Sequence, residues 1–221
     1  MIRLYVIRHG ETEWNAEGKM QGWADIPLND RGRELARITG EALREVPFDL
    51  ILSSPLQRAR ETAALVTGPS AAYYGREIPV IEDERIKEIN WGSWEGHSNK
   101  RESAEGLFDQ FYEDPLHYEG APDGDSVRDV CARTADFLQD VIHNPEYEGK
   151  TILVSTHGCA MRALLNPLYE NRMDFWQGHV PYNCAVNIVE AENGQARLVA
   201  RDQIYYEKDR CFDNYKPSKE Q

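Results

Sequence analysis

The chain has 221 residues, 41% hydrophobic and 29% charged, a balance that suits one folded domain over 1–221 rather than a disordered chain. Its formal charge of −13 argues against a nucleic-acid partner, which asks for a basic face, but leaves room for a small anion in a local basic pocket. No run approaches the roughly 20 apolar residues that span a bilayer, and Ile2 to Ile7 is too short between charges for a signal-peptide core, so a cytoplasmic protein without membrane contact is expected.

Ile2 to Ile7 reads as a buried strand that ends at Arg8-His9-Gly10. Residues 11–28, with Gly18, Gly22 and Pro27, read as a loop with at most one helical turn. Asn29 is placed to cap a helix over about 30–45, since Leu35, Ile38, Ala42 and Val46 share one face. Phe48 to Leu52 is a second buried strand, after which Ser54 as N-cap and Pro55 at the first helical position predict a helix. Pro79-Val80-Ile81 is a short strand, 97–124 an aromatic-rich insertion, and 125–143 an amphipathic helix. Thr151 to Ser155 is a buried strand broken at His157-Gly158 and followed by a helix over about 159–169. Strands at 185–190 and 196–201 flank Asn193-Gly194, a hairpin turn signal. This alternation implies an α/β fold, a single mostly parallel sheet with helices on both faces.

Each of four segments sets a polar residue where a buried strand has just ended or where the next helix begins: Arg8-His9-Gly10, Arg58, Glu88 and His157-Gly158. Ligands of open α/β sheets bind at that edge. Two guanidiniums match phosphate oxygens and repel a divalent cation, so no metal is expected. A neutral imidazole is a competent phosphoryl nucleophile, Gly10 and Gly158 let backbone N–H groups approach an anion, and Glu88 can protonate a departing alkoxide. Cys131, Cys159, Cys184 and Cys211 form no C-x-x-C pair and read as reduced, mostly buried thiols, Cys159 as packing near the pocket.

Arg8-His9-Gly10-Glu11-Thr12 with Trp14-Asn15 resembles the signature of the histidine phosphatase superfamily, which includes the cofactor-dependent phosphoglycerate mutases. Gln21-Gly22-Trp23, Ser53 with Arg58-Ala59 and Thr62, Glu88-Ile89-Asn90-Trp91-Gly92, and Ser155-Thr156-His157-Gly158 with Arg162 resemble its further segments in family order. The resemblance implies a phosphoglycerate mutase-like fold with His9 as the phosphorylated nucleophile. It implies Arg8, Arg58, His157 and Asn15 as phosphate contacts, extended to Gln21, Gly22 and Gly158, with Glu88 as proton donor and no metal or organic cofactor.

Within that family, Trp91-Gly92-Ser93-Trp94-Glu95-Gly96 is similar to the phosphatase type, where mutases tend to carry Tyr-Gly-x-Leu-x-Gly. The 97–124 insertion offers Lys100 and Arg101 as cations against Glu102, Glu105, Asp109, Glu113, Asp114, Glu119 and Asp123, little countercharge for a bisphosphate. Leu107, Phe108, Phe111, Tyr112 and Tyr118 suggest instead an apolar lid over an organic leaving group. The reading is a phosphomonoesterase acting on a small phosphorylated substrate, with a mutase as the alternative and an inactive binding module behind it. Asp123-Gly124-Asp125-Ser126 departs from the family's Gly-Gly-Glu-Ser. Glu82, Asp83 and Glu84 read as a solvated acidic face, and Arg162 as ordering structure behind His157. His97, His117 and His143 have no site context; His179 borders the cleft at most. Oligomeric state and natural substrate stay open.

Overall fold

In a computed structural model, which describes residues 1–98 and 107–207, the first buried run is strand β1, Ile2–Arg8. Five more strands follow: β2 (Leu50–Ser53), β3 (Val80–Glu82), β4 (Thr151–Thr156), β5 (Val186–Glu192) and β6 (Gln195–Gln203). They form one sheet in the order β3-β2-β4-β1-β5-β6, parallel from β3 to β1 and antiparallel from β1 through β5 to β6. Lys100, Arg101 and Cys211, and the side chains of Leu107 and Phe108, lie outside the described residues.

Strand periodicity assigns the two faces. Ile2, Leu4 and Val6 of β1 join Ile152 and Val154 of β4 under α5 (Val127–His143) and α6 (Gly158–Leu165). The alternate residues Tyr5, Ile7, Ile51 and Leu153 pack against α2 (Asp30–Ala42) and α3 (Gln57–Tyr74), which follow the one-turn helix α1 (Glu13–Ala16). Helices therefore cover both faces, and this single α/β domain carries the expected architecture. No helix among the described residues is long and apolar enough to cross a membrane.

Local signals worked where the side chain had no other task. Asn29 Oδ1 accepts the Gly32 N–H at 2.8 Å and starts α2. Asn193 and Gly194, both with positive φ, turn β5 into β6. The helix expected at 159–169 gives way after Leu165 to a 3-10 turn, Asn166–Leu168, containing Pro167. The expected cap of α3 is a correction. The helix begins at Gln57, not Pro55; Ser54 Oγ is bound to the His157 ring at 2.8 Å and accepts the Leu56 N–H, at 3.4 Å, ahead of the helix. Asp25 Oδ1, from the preceding loop, takes the Gln57 N–H at 2.7 Å instead.

The insertion contributes α4 (Leu107–Glu113) and an aromatic cluster. The Phe111 ring lies 4.7 Å from Trp91, 5.2 Å from Tyr118 and 5.1 Å from Trp176, each edge-on. Tyr118 is buried among these rings and Ser126 caps α5, with Asp129 returning to the Ser126 N–H at 2.9 Å.

Candidate active site

The parallel pairing of β1 and β4 sets Arg8 opposite Thr156, so His9 and His157 leave adjacent strands at the same level. The His9 N–H donates to the Thr156 carbonyl at 2.9 Å, and the two imidazole centroids lie 5.1 Å apart. β2 flanks β4 on its other side with Ser53 opposite Ser155, which brings Ser54 to His157.

His9 is buried, and its Nδ1 lies 2.6 Å from the Gly10 carbonyl oxygen. A carbonyl only accepts, so Nδ1 carries the hydrogen and Nε2 keeps a lone pair in the neutral ring. Burial holds the His9 pKa well below its usual value, and the Arg58 and Arg8 charges push the same way. The ring is therefore neutral at physiological pH.

His157 is fixed in the same manner. Arg58 Nε donates to its Nδ1 at 3.2 Å, which leaves the hydrogen on Nε2, directed at Ser54 Oγ. Burial first, then Arg58 and its neighbours, lowers its pKa well below the usual range. Arg58 also donates from Nη2 to the Gly22 carbonyl at 2.6 Å and from Nη1 to the Ala24 carbonyl at 2.8 Å. Burial draws this guanidinium down to about 10, with Glu88, Asp25 and Glu95 opposing.

Beside this layer a cavity is walled by Arg8, Asn15, Lys19, Gln21, Glu88 and Gly158 on its polar side. Met20, Ile89, Trp91, Phe111, Tyr112, Cys159, Trp176 and Val180 form the rest. His9, Arg58 and His157 are almost wholly enclosed and adjoin this wall rather than line it. Arg8 donates from Nη1 to the Pro181 carbonyl. Two buried donors on the wall, Arg8 Nε and Gln21 Nε2, have no acceptor among the described residues. Unmet donors of this kind cost about 1–3 kcal/mol each, so the cavity favours an anion. Thr12 Oγ1 donates to Gln21 Oε1 at 2.6 Å, turning the Gln21 nitrogen away from Thr12. Asn15 Oδ1 accepts from Thr12 N–H and, at 3.4 Å, from Asn183 Nδ2.

Glu88 lies across the N-terminus of α6. Its Oε1 accepts the Ala160 and Ile89 amides at 3.0 Å each, and its Oε2 only that of Cys159 at 3.2 Å. Gly158 lies beside this contact, and a Cβ there would make only ordinary contacts, 3.5 Å from Arg8 Nε and 3.6 Å from Glu88 Oε2. Glu82 and Glu84 are exposed, as expected, while Asp83 caps the 3-10 turn Glu84–Ile86.

Three expectations change in detail. Gly10 does not present its N–H to the cavity; that group donates to Thr62 Oγ1 at 2.9 Å, and the glycine is needed because a Cβ would come within 2.6 Å of the Gly32 carbonyl. The Gly22 N–H is likewise taken, by Glu95. His179 is not among the cavity residues, though the adjoining Val180 is. Arg162 does order structure behind His157, bonding Tyr169 Oη, the His179 carbonyl and Asp202. Cys159, whose thiol burial pushes well up, packs in the wall.

Arg133 had no sequence signal. It donates to the carbonyls of Arg85, Lys87 and Glu88 at 2.7, 2.5 and 2.9 Å, fixing the backbone that carries Glu88. Asp125, from the departing Asp-Gly-Asp-Ser segment, accepts the Asn90 N–H at 3.0 Å and reaches Arg133 at 3.5 Å. Among the described residues no group of three or more His, Cys, Asp or Glu is placed to hold a metal ion.

A mostly parallel α/β sheet with two histidines, two arginines and a carboxylate gathered at its carboxyl edge defines a phosphate-handling class of protein. The family model of the histidine phosphatase superfamily (branch 1) matches residues 4–203, and the chain belongs to that family. It is 37% identical over 175 residues to a 2,3-bisphosphoglycerate-dependent phosphoglycerate mutase 2 of Gloeobacter violaceus, covering 76% of each chain. It is 31% identical to the uncharacterised phosphatase PhoE of Bacillus subtilis, covering 87% of this chain and 90% of that one. Among solved structures, Bacillus stearothermophilus YhfR superposes with a TM-score of 0.82 at 35% identity, covering 91% and 97% of the two chains. Relatives thus include both mutases and phosphatases.

Proposed function

We propose that this protein is a phosphomonoesterase that hydrolyses small organic phosphates through a covalent phosphohistidine at His9. The observation that carries the reading is the state of His9, a neutral ring with its hydrogen on Nδ1 and its Nε2 lone pair beside two buried guanidiniums. Nε2 attacks phosphorus, and the P–O bond to the leaving group breaks as Glu88 gives that oxygen a proton. Arg8, Arg58, Asn15, Gln21 and Gly158 hold the phosphoryl oxygens as charge develops, joined by His157 as its Nε2–H turns from Ser54 Oγ to a phosphoryl oxygen; Gly22 contributes by holding Arg58. Water then attacks phosphorus, Glu88 as carboxylate takes its proton, and the P–N bond returns its electrons to His9. Neither a metal nor an organic cofactor enters these steps.

Hydrolysis is favoured over mutase action by the wall around the cavity. Among the described residues, the sole cation on it apart from Arg8 is Lys19, which is paired with Glu17 at 2.6 Å; aromatic and aliphatic side chains make up most of the remainder. A bisphosphate finds little countercharge there, whereas an organic leaving group finds apolar surface under Phe111 and Tyr112 of the 97–124 insertion. The free thiols Cys131, Cys159 and Cys184 suit a reducing, cytoplasmic setting.

Rapid quench with labelled substrate should trap an acid-labile, base-stable adduct that His9→Ala lacks. With 3-phosphoglycerate and a bisphosphoglycerate primer, phosphate release should exceed formation of 2-phosphoglycerate. Wild-type turnover in His9→Ala would refute the mechanism, and dominant isomerisation would make the protein a mutase.

A further inference from the structure

We propose that Glu95 is a positioning residue for phosphate binding, its carboxylate gathering the backbone of residues 22–24 so that two carbonyls of that strap aim Arg58. The proposal rests on the reading that Arg58 binds the phosphoryl group. Glu95 Oε1 accepts the Trp23 N–H at 2.7 Å and the Trp91 N–H at 3.3 Å. Its Oε2 accepts the N–H groups of Gly22 at 3.1 Å and Ala24 at 3.3 Å. Four amides from two chain segments thus converge on one side chain. Of these, the Trp23 N–H shares its peptide unit with the Gly22 carbonyl, and the Ala24 N–H lies in the unit just before the Ala24 carbonyl, the two carbonyls that hold Arg58.

The strap cannot sit elsewhere and still do this. A Cβ on Gly22 would overlap the Ile89 carbonyl and come 2.5 Å from Glu95 Oε1, so the glycine is what lets the two segments close. Trp23 Nε1 donates to the Glu88 carbonyl at 2.9 Å, and the Lys87 ammonium lies 3.5 Å from the Trp23 ring centroid. The phosphate arginine and the proton donor are therefore joined through one short segment. An acid bonded directly to Arg58 would compete with phosphate for its donors. Glu95 instead places its charge one peptide away, where it attracts the guanidinium without occupying it.

Glu95→Gln keeps the size but turns an NH₂ group toward amide donors, so the strap should loosen; Glu95→Asp keeps the charge and shortens the reach by one methylene. The test measures inorganic phosphate as a competitive inhibitor of nitrophenyl phosphate hydrolysis. Glu95→Gln should raise the phosphate inhibition constant about tenfold, the size of losing one charge-assisted hydrogen bond, with Glu95→Asp in between. Glu95→Gln should add little in the Arg58→Lys background, because it acts through that guanidinium. Val141→Ala, in the cluster with Ile2 at the far end of β1, should lower thermal stability without moving the constant. A folded Glu95→Gln protein with a constant within twofold of wild type, or losses that add independently with Arg58→Lys, would overturn the proposal. Should Glu95→Gln not fold, an unchanged constant in Glu95→Asp overturns it equally. Absence of phosphate binding in the wild type would overturn the phosphatase reading itself.

Discussion

Lowering the pH should unfold this protein through the two histidines that the fold keeps neutral. His9 and His157 are both buried, and burial with nearby guanidiniums holds both pKa values well below 6.5. The unfolded chain then binds protons that the native state refuses, so stability is full above the unfolded pKa and falls as pH drops below it. For a group that titrates near 6.5 only when unfolded, going from pH 7.5 to 5.5 costs about 1.4 kcal/mol, and about 2.8 kcal/mol for the pair. Urea unfolding at those two pH values isolates the effect when wild type is compared with His9→Gln, His157→Gln and the double variant. Carboxylates and exposed histidines contribute equally to all four and cancel. Each single variant should lose about 1.4 kcal/mol less than wild type over this interval, and the double variant about twice that saving. Parallel pH dependences in all four proteins would refute the assignment of neutral, buried imidazoles.

The same depressed pKa means that kcat/KM should show no acid limb in the usual range of a histidine; an acid limb centred near 6.5 would show an ordinary, solvated nucleophile. Glu88→Gln should slow alkyl phosphates by ~10²–10⁴-fold and nitrophenyl phosphate only modestly, since nitrophenolate needs no proton to leave. Equal slowing of both esters would count against a leaving-group acid. Gly158→Ala should leave the melting temperature nearly unchanged, because its methyl meets only ordinary contacts at 3.4 to 3.6 Å, yet weaken phosphate binding about tenfold by occupying cavity space beside the unmet Arg8 Nε donor. Unchanged inhibition by phosphate would place the anion elsewhere. Ser54→Ala removes the partner of the His157 Nε2–H and should lower kcat about tenfold with little change in KM, consistent with one lost hydrogen bond; a change confined to KM would assign Ser54 to substrate binding.

Side chains whose task is local were legible from the residues alone. Apolar spacing marked β1, β4 and α5, Asn29 capped its own helix, and Asn193-Gly194 made its own turn. The candidate site residues were readable for a related reason: each follows a strand or opens a helix, and strand ends on a parallel sheet share one edge. Strand order was not readable, because β4 inserts between β1 and β2 through pairings more than 100 residues apart in sequence. That insertion juxtaposes His9 with His157, and it brings Ser54, expected as a helix cap, against the His157 ring. Arg133, and the partners of Glu95, stayed silent for the deepest reason. The groups these two side chains bind are the amides of residues 22–24 and 91 and the carbonyls of 85, 87 and 88. Every residue carries a carbonyl and all but proline an N–H, so such a bond leaves no mark on the identity of its partner and exists only once the chain has folded.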